Sequence, residues 1–234
     1  MLKKLIVITG ILLMPMTASA QMTEIVEETL TGNNEFFVTG NFINLAPVNN
    51  FLAAQNLGFS TLGDNLLMYG IASRNMAGDN VSWGLVISTT LEGFDLVETN
   101  LLKRDKERFG TDPSNQAKFS MVITEFVIDY QAFKLGGFSI GGGVGIGFGG
   151  AKITLLGDKS GSFRIASFLF TPEMTFSYHL LEDASGGIIL SLTGGYNFFS
   201  NREWQREAGA LDYPDKFDMS GAYATFSIGI PTAK

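Results

Sequence analysis

The sequence predicts an all-β protein, an antiparallel up-and-down transmembrane β-barrel of about eight strands with one short helix in its first long loop. Three observations predict this fold. Apolar residues alternate with small or polar ones at a period of two. The connections between the alternating segments are long and short in turn, as in a barrel with short turns at one end and loops at the other. Two of the long connections, 96–115 and 199–218, hold eight charged residues each.

Composition narrows the function classes before any motif is considered. The chain has 234 residues, 16 Lys+Arg against 23 Asp+Glu, no Cys, 28 Gly and 20 Phe. A net charge of −7 argues against nucleic acid as a partner, because nucleic-acid binding needs clustered positive charge. The absence of cysteine excludes disulfides and thiolate chemistry. A hydrophobic share of 45% with 17% charged residues excludes a disordered chain.

The first twenty residues predict a cleavable signal peptide. Lys3 and Lys4 precede an apolar run over 5–14, and Ala18 and Ala20 fit a small-residue cleavage site. The run is too short for a transmembrane helix. We therefore expect an exported protein with a signal peptide over 1–20, an N-terminal segment over 21–33 and a barrel domain over 34–231, located in the cell outer membrane.

The first half of the barrel domain contains the weaker predicted strands. Segments 34–43, 64–76 and 117–130 alternate imperfectly, and in the last of these Glu125 and Asp129 share a face with apolar residues. Segment 81–88 alternates strictly. Between the first two strands, apolar residues from Leu45 to Leu52 recur at helical spacing and Gly58 suits a helix C-terminus, so a short helix is expected on the rim or in the mouth.

The second half alternates more clearly. Segment 135–155 places Phe, Ile and Val at even positions and Ser or Gly at most odd ones, and its odd glycines leave one face empty. That space suits a large side chain from across the barrel or a packed plug, or the glycines simply permit sharp curvature, which we slightly favour. Segments 163–178, 187–198 and 219–231 complete the eight strands. A soluble β-sandwich is less consistent, since its polar face would carry many more charges.

Three charged residues are predicted inside the barrel, namely Arg74, Glu125 and Glu173. Because buried carboxylates need a partner, Arg74, Lys118 and Arg164 are the candidates for ion pairing. We interpret the set as a structural polar network rather than as an ion or solute constriction, because eight strands enclose little more than their own side chains.

Little in the chain suggests catalysis. His179 is the one histidine, and a triad with Ser177 and Asp183 rests on proximity in sequence alone. A single histidine with scattered carboxylates does not make a metal site, and the glycine-rich segment lacks the features of a phosphate-binding loop. We expect no enzyme activity, no cofactor and no metal. In the second charged loop, Trp204 and Tyr213 are candidate contact residues, or anchors of that loop.

The signal peptide, the alternating strands and the loop pattern together resemble the small eight-stranded outer-membrane barrels of the OmpA/OmpX-like type. The resemblance covers 34–231, is architectural, and implies outer-membrane lipid and the barrel-assembly machinery as partners. Two features depart from it. The chain ends in Ile230-Pro231-Thr232-Ala233-Lys234 rather than on an aromatic residue, and Pro172 interrupts a strand. A bulge at Pro172 would reconcile it; otherwise its strand is an edge and the barrel is open.

The expected function is a structural or surface-interaction role, with loops 96–115 and 199–218 facing outward. Two alternatives remain. One is a lipid-modifying outer-membrane enzyme. His179 counts against this alternative, because it is predicted at the periplasmic end of the barrel, away from the outer leaflet. The other is a secreted or periplasmic soluble β-protein that binds an apolar ligand.

Overall fold

The computed structural model describes residues 32–55, 65–78, 80–90, 116–156, 160–183, 186–200, 203–209 and 216–232. Ten elements follow one another along the chain, nine strands and one helix. They are β1 (Gly32–Ile43), α1 (Ala46–Ala54), β2 (Asn65–Met76), β3 (Val81–Thr90), β4 (Gln116–Leu135), β5 (Phe138–Leu156), β6 (Gly161–Asp183), β7 (Gly186–Phe199), β8 (Gln205–Ala208) and β9 (Gly221–Thr232). The predicted signal peptide, loop 96–115 and Tyr213 lie outside the described residues.

Eight of the strands form a closed antiparallel barrel. Each of β1 to β6 pairs with the next, β7 pairs with β9, and β9 returns to β1. Residue partners followed once round the barrel from Gly32 lead back to Phe42, ten positions along the same strand. This stagger, about 33 Å along the strand against a circumference of about 38 Å, tilts the strands by roughly 40°. The predicted fold class is confirmed.

The two ends of the barrel differ. The strand ends that border 77–80, 136–137 and 184–185, together with the first residue of β1 and the last residue of β9, lie at one end of the barrel, which we call the turn end. The strand ends that border 44–64, 91–115, 157–160 and 200–220 lie at the other end, which we call the loop end. The segment 200–220 contains β8, a short strand that pairs with the start of β6 beyond the end of β7.

The strands β4 and β6 are longer than predicted, whereas β5 begins at Phe138 rather than at 135. β4 runs to Leu135 and meets β5 through a turn at Gly136, whose φ of 57° favours glycine. The turn predicted at 131–134 is therefore wrong, because those residues continue the ladder after an irregularity between Gln131 and Phe133. β6 likewise continues to Asp183.

Pro172 does not open the barrel. It pairs with Val144 of β5 and no register shift occurs there, so neither the expected bulge nor the open edge is present. The backbone pairing that is lost is the one with β7. The ladder between β6 and β7 skips Thr171 and Pro172 and then resumes in the same register. Thr171 Oγ1 and Asn197 Oδ1 are 3.3 Å apart across this gap, and their hydrogen bond links the two strands where the backbone pairing lapses.

The predicted helix in the first long loop is present as α1. Pro47 lies in its first turn, where a missing N–H costs nothing. Val48, Phe51 and Leu52 are buried and point into the loop end of the barrel. Gly58, its predicted C-terminal glycine, lies outside the described residues, and the helix ends at Ala54. Among the described residues, no helix combines the length and apolar character needed to cross a membrane.

Candidate functional site

The candidate site is the interior of the barrel, which differs in character between its two ends. Inward-facing residues near the turn end are mostly charged, hydroxylated or small. Inward-facing residues near the loop end are apolar and join α1 and 203–219 in one hydrophobic cluster. The imperfect alternation of 117–130 follows from this division, because Met121 and Ile123 face the apolar half while Glu125 and Asp129 face the polar half.

Arg74 is the centre of the polar half. Its guanidinium contacts carboxylates on three other strands: Nη1 lies 2.8 Å from Glu35 Oε1, Nε lies 3.0 Å from Asp129 Oδ2, and Nη2 lies 3.5 Å from Glu173 Oε1. The Glu35 and Glu173 side chains are only 6% and 5% exposed. Because the fork of guanidinium donors can serve several carboxylates at once, a single side chain links β1, β2, β4 and β6.

Two further residues extend this network. Tyr223 of β9 donates a hydrogen bond to Glu173 Oε2, and Asn33 donates one to Glu35 Oε1 at 2.8 Å. Glu125 lies nearby, and its Oε2 is buried and makes no hydrogen bond to any described residue. Buried acceptors without a protein partner are ordinarily satisfied by water in a polar cavity.

The structure thus brings together Arg74 and Glu173 of the three predicted residues, with Glu125 nearby but not in an ion pair. Lys118 and Arg164 face outward and are not partners of the interior acids. Sequence reasoning missed Glu35, Asp129 and Tyr223. The alternation of each strand could have identified them, because all three occupy odd-numbered positions, and on their strands the odd-numbered positions face inward.

A cavity of about 40 Å³ lies beside this network. Its lining includes Glu35, Arg74 and Glu125 together with threonines and asparagines from the middle of the barrel. Asn197 donates to Asn41 Oδ1 at 3.0 Å, so side chains of β7 and β1 meet inside the barrel in front of β9. The cavity has room for a few water molecules at most, and it ends against the apolar half.

The glycines of β5 make room for these interior groups. A Cβ atom on Gly143 would lie 2.7 Å from the backbone oxygen of Ile128 and would collide with the Asp129 carboxylate. A Cβ on Gly145 would lie 2.5 Å from Glu125 Oε2, and one on Gly149 would meet the Phe199 ring. The face left empty by the glycines is therefore occupied by side chains of β4, the neighbouring strand, and by Phe199 of β7. The predicted filling of the space is present, although most of it comes from the neighbouring strand rather than from across the barrel, and the effect of the glycines on curvature stays a prediction.

The loop end is closed by an apolar plug. Phe217 is fully buried, stacks on Trp204 with ring centres 5.6 Å apart, and meets Phe119 edge-on at 5.9 Å. Two strands further round the barrel, on β6, Phe163 meets Phe51 of α1 edge-on at 5.5 Å. Trp204 is only 6% exposed, so its position is that of a loop anchor. Its proposed contact with an outside molecule stays a hypothesis, as does that of Tyr213.

The outer wall is apolar over a defined height. Thirty large apolar side chains of the described residues are at least 36% exposed. On β5 a stretch of them that no charged residue interrupts runs from Phe138 to Phe148, ten residues apart, which at the strand tilt is about 25 Å along the barrel axis, and Leu156 follows beyond Lys152. That height matches the apolar band of a barrel that spans a bilayer.

His179 lies near the turn end of β6. Its backbone N–H donates to Gly137 O at 2.8 Å. Ser177, the nucleophile of a conceivable triad, shares a hydrogen bond with Ser191 Oγ at 2.9 Å instead. This geometry does not resemble a catalytic triad, in which the serine hydroxyl is bonded to the histidine.

Comparison with known proteins adds resemblance in overall fold. No family model matches this chain, and no curated protein sequence matches it. Among solved structures, it is similar to Neisserial surface protein A, with a TM-score of 0.49 and 11% identity over 88% of this chain and 100% of the other. It is also similar to a major outer membrane protein of Thermus thermophilus, with a TM-score of 0.45 and 10% identity over 85% of this chain and 98% of the other. The outer membrane protein OprG of Pseudomonas aeruginosa is similar with a TM-score of 0.45 and 14% identity over 88% of this chain and 96% of the other.

Proposed function

We propose that this protein is a non-conducting β-barrel of the outer membrane with a structural or surface-interaction role exerted through its loop end. The observation that carries the proposal is the closed barrel whose outer wall is apolar over about 25 Å and whose interior is filled.

The outer wall supports the membrane location. Exposed apolar side chains in this number would be an aggregation hazard in water, whereas a bilayer requires them. Closure supports it further, since only a barrel without free edges satisfies every backbone group in lipid. The same wall disfavours the soluble apolar-ligand alternative, because the apolar surface faces outward and the interior next to the cavity is polar.

The interior supports the absence of a pore. Arg74 and its three acidic partners cross the polar half, and the plug formed around Phe217 closes the other half. Eight-stranded barrels enclose only enough space for their side chains. Outer-membrane lipid and the barrel-assembly machinery are the partners that this proposal requires, and no nucleic acid is involved.

The loop end supports a role at the surface. β8 is exposed along its whole length, and Lys216 and Glu203 form an exposed ion pair at 3.0 Å beside it. The plug beneath these segments holds them in place over the mouth of the barrel. A rigid scaffold that presents polar loops is the arrangement in which binding functions are commonly placed.

Gel migration and conductance test the proposal together. A closed barrel should move differently in unheated and boiled samples of the membrane fraction, and the purified protein should give no single-channel steps in a planar bilayer. The absence of any shift, or recovery in the aqueous fraction without detergent, would contradict the membrane location. Regular conductance steps from protein that does show the shift would contradict the sealed interior alone.

A further inference from the structure

Three cationic side chains lie together on the outer wall of the barrel near the loop end. They are Lys118 of β4, Lys152 of β5 and Arg164 of β6, and all three face outward. Lys152 and Arg164 are 48% and 58% exposed. We call these three residues the basic patch.

The strand register forces the three charges close together. Lys152 is paired directly with Arg164, and Lys118 is paired with Thr154, which makes Lys118 the diagonal neighbour of Lys152. Directly opposite side chains have Cβ atoms about 5 Å apart and diagonal ones about 7–8 Å apart. Like charges in these positions destabilise a sheet, so the arrangement has a cost that an anion would remove.

One carboxylate offsets the patch in part. Glu207 of the β8 segment lies 2.7 Å from Lys152 Nζ and 3.5 Å from Arg164 Nη1, and it accepts a hydrogen bond from Ser162. The hydrogen bond from Lys152 holds the pKa of Glu207 below its usual value. Lys118 has no ion-pair partner in the described part of the chain. Among the described residues, three cations against one carboxylate leave two positive charges.

The position of the basic patch along the barrel axis indicates which group neutralises its positive charges. Lys152 lies four residues beyond Phe148, and Arg164 lies four residues beyond Phe168, the last aromatic rings of the apolar wall, which meet edge-on at 5.9 Å. Four residues along a tilted strand are about 10 Å along the axis. The cations therefore stand just outside the hydrocarbon, at the depth of lipid headgroups.

We propose that the basic patch binds the phosphate groups of an anionic lipid in the leaflet at the loop end. This inference rests on the proposed membrane location. Phosphate oxygens accept hydrogen bonds from both lysine and guanidinium groups, and each cation near an anionic membrane surface strengthens binding about fivefold. The patch faces sideways, toward the plane of the lipids, rather than upward from a loop tip, which favours a lipid over a soluble anion.

Native mass spectrometry of the folded barrel in neutral detergent tests this proposal, with bisphosphorylated lipid A and phosphatidylcholine as the probes. The unmodified protein should retain lipid A and not phosphatidylcholine. The variant Lys152→Gln/Arg164→Gln should retain lipid A roughly 30-fold less well. Glu207→Gln should retain it better, because it frees both cations.

The matched control is Lys134→Gln/Lys216→Gln, which removes the same charge from the turn end and from the rim of the mouth. The proposal would be overturned if the control lost lipid A as strongly as the patch variant, or if the patch variant retained lipid A as well as the unmodified protein. Displacement of lipid A by millimolar inorganic phosphate would overturn it too. The heated-gel shift is measured on the same samples. Protein that shows no shift has lost the proposed barrel itself, whereas shifted protein without selective retention refutes the basic patch alone.

Discussion

The two halves of the barrel interior fill the same narrow space by different means. Near the turn end, one guanidinium holds three carboxylates from three strands. Near the loop end, aromatic and aliphatic side chains from the wall, α1 and 203–219 pack together. The polar half stabilises only while every partner is present, because a lone buried charge costs several kcal/mol. The apolar half loses stability in proportion to the volume removed.

The largest effect is expected in the polar half. Arg74→Met would leave Glu35, Asp129 and Glu173 without a cation and should destabilise the barrel by about 3–5 kcal/mol. Arg74→Lys keeps the charge but supplies one nitrogen, and should cost less. Urea titration of the protein in lipid vesicles, followed by the heated-gel shift, measures both. Equal midpoints for Arg74→Met and the unmodified protein would show that the acids do not need the cation.

A somewhat smaller loss is expected in the apolar half. Phe217→Ala removes a fully buried ring that contacts Trp204 and Phe119, and should cost about 3 kcal/mol. Phe217→Leu retains most of the volume and should cost less than about 1.5 kcal/mol. The same urea titration compares them. If the leucine variant were as unstable as the alanine variant, packing volume would not be what holds the plug.

The polar half was easier to predict from sequence than the apolar half, because its residues lie on strands whose alternation shows which side chains face inward. Glu173 lies mid-strand on the face of small polar residues, so alternation alone indicated that it points inward, and Arg74 was predicted to lie inside the barrel as well. The same rule applied to Glu35 and Tyr223 would have completed most of the network. The plug could not be predicted in this way, because α1, Trp204 and Phe217 come from connections that have no strand period. The lengths of β4 and β6 were missed because 131–134 and 179–183 lack a clear period of two, although they continue the strands.

A third prediction probes the glycine strand where it meets the plug. A side chain on Gly149 would collide with Phe199, so Gly149→Val should destabilise the barrel by about 1–3 kcal/mol. Gly194 faces outward, and the nearest neighbour that a Cβ there would meet is a backbone oxygen at 3.9 Å. Gly194→Val is therefore the matched control and should be nearly neutral in the urea titration. A tolerated Gly149→Val would mean that the ring moves aside without cost.

The smallest effect concerns the exposed rim at the loop end. Because the pKa of Glu207 is lowered in the folded protein, its contacts with Lys152 and Ser162 stabilise β8 above the ordinary glutamate pKa. That stabilisation is lost as the pH falls through the lowered value. Amide hydrogen exchange over 205–208 should therefore rise at acidic pH after correction for intrinsic rates. Glu207→Gln should remove the pH dependence, and its persistence in that variant would assign it to another group.

The seam between β1 and β9 has a consequence for the order of events in folding. It pairs Gly32 with Thr232 and Ile43 with Gly221, residues that are 200 and 178 positions apart. Such distant contacts form late and slowly, because the whole intervening chain must first be brought into place. Each hairpin made before that moment leaves strand edges open to other chains. Of the described strands, β9 is synthesised last and completes the barrel, so its loss would leave both β1 and β7 as unpaired edges.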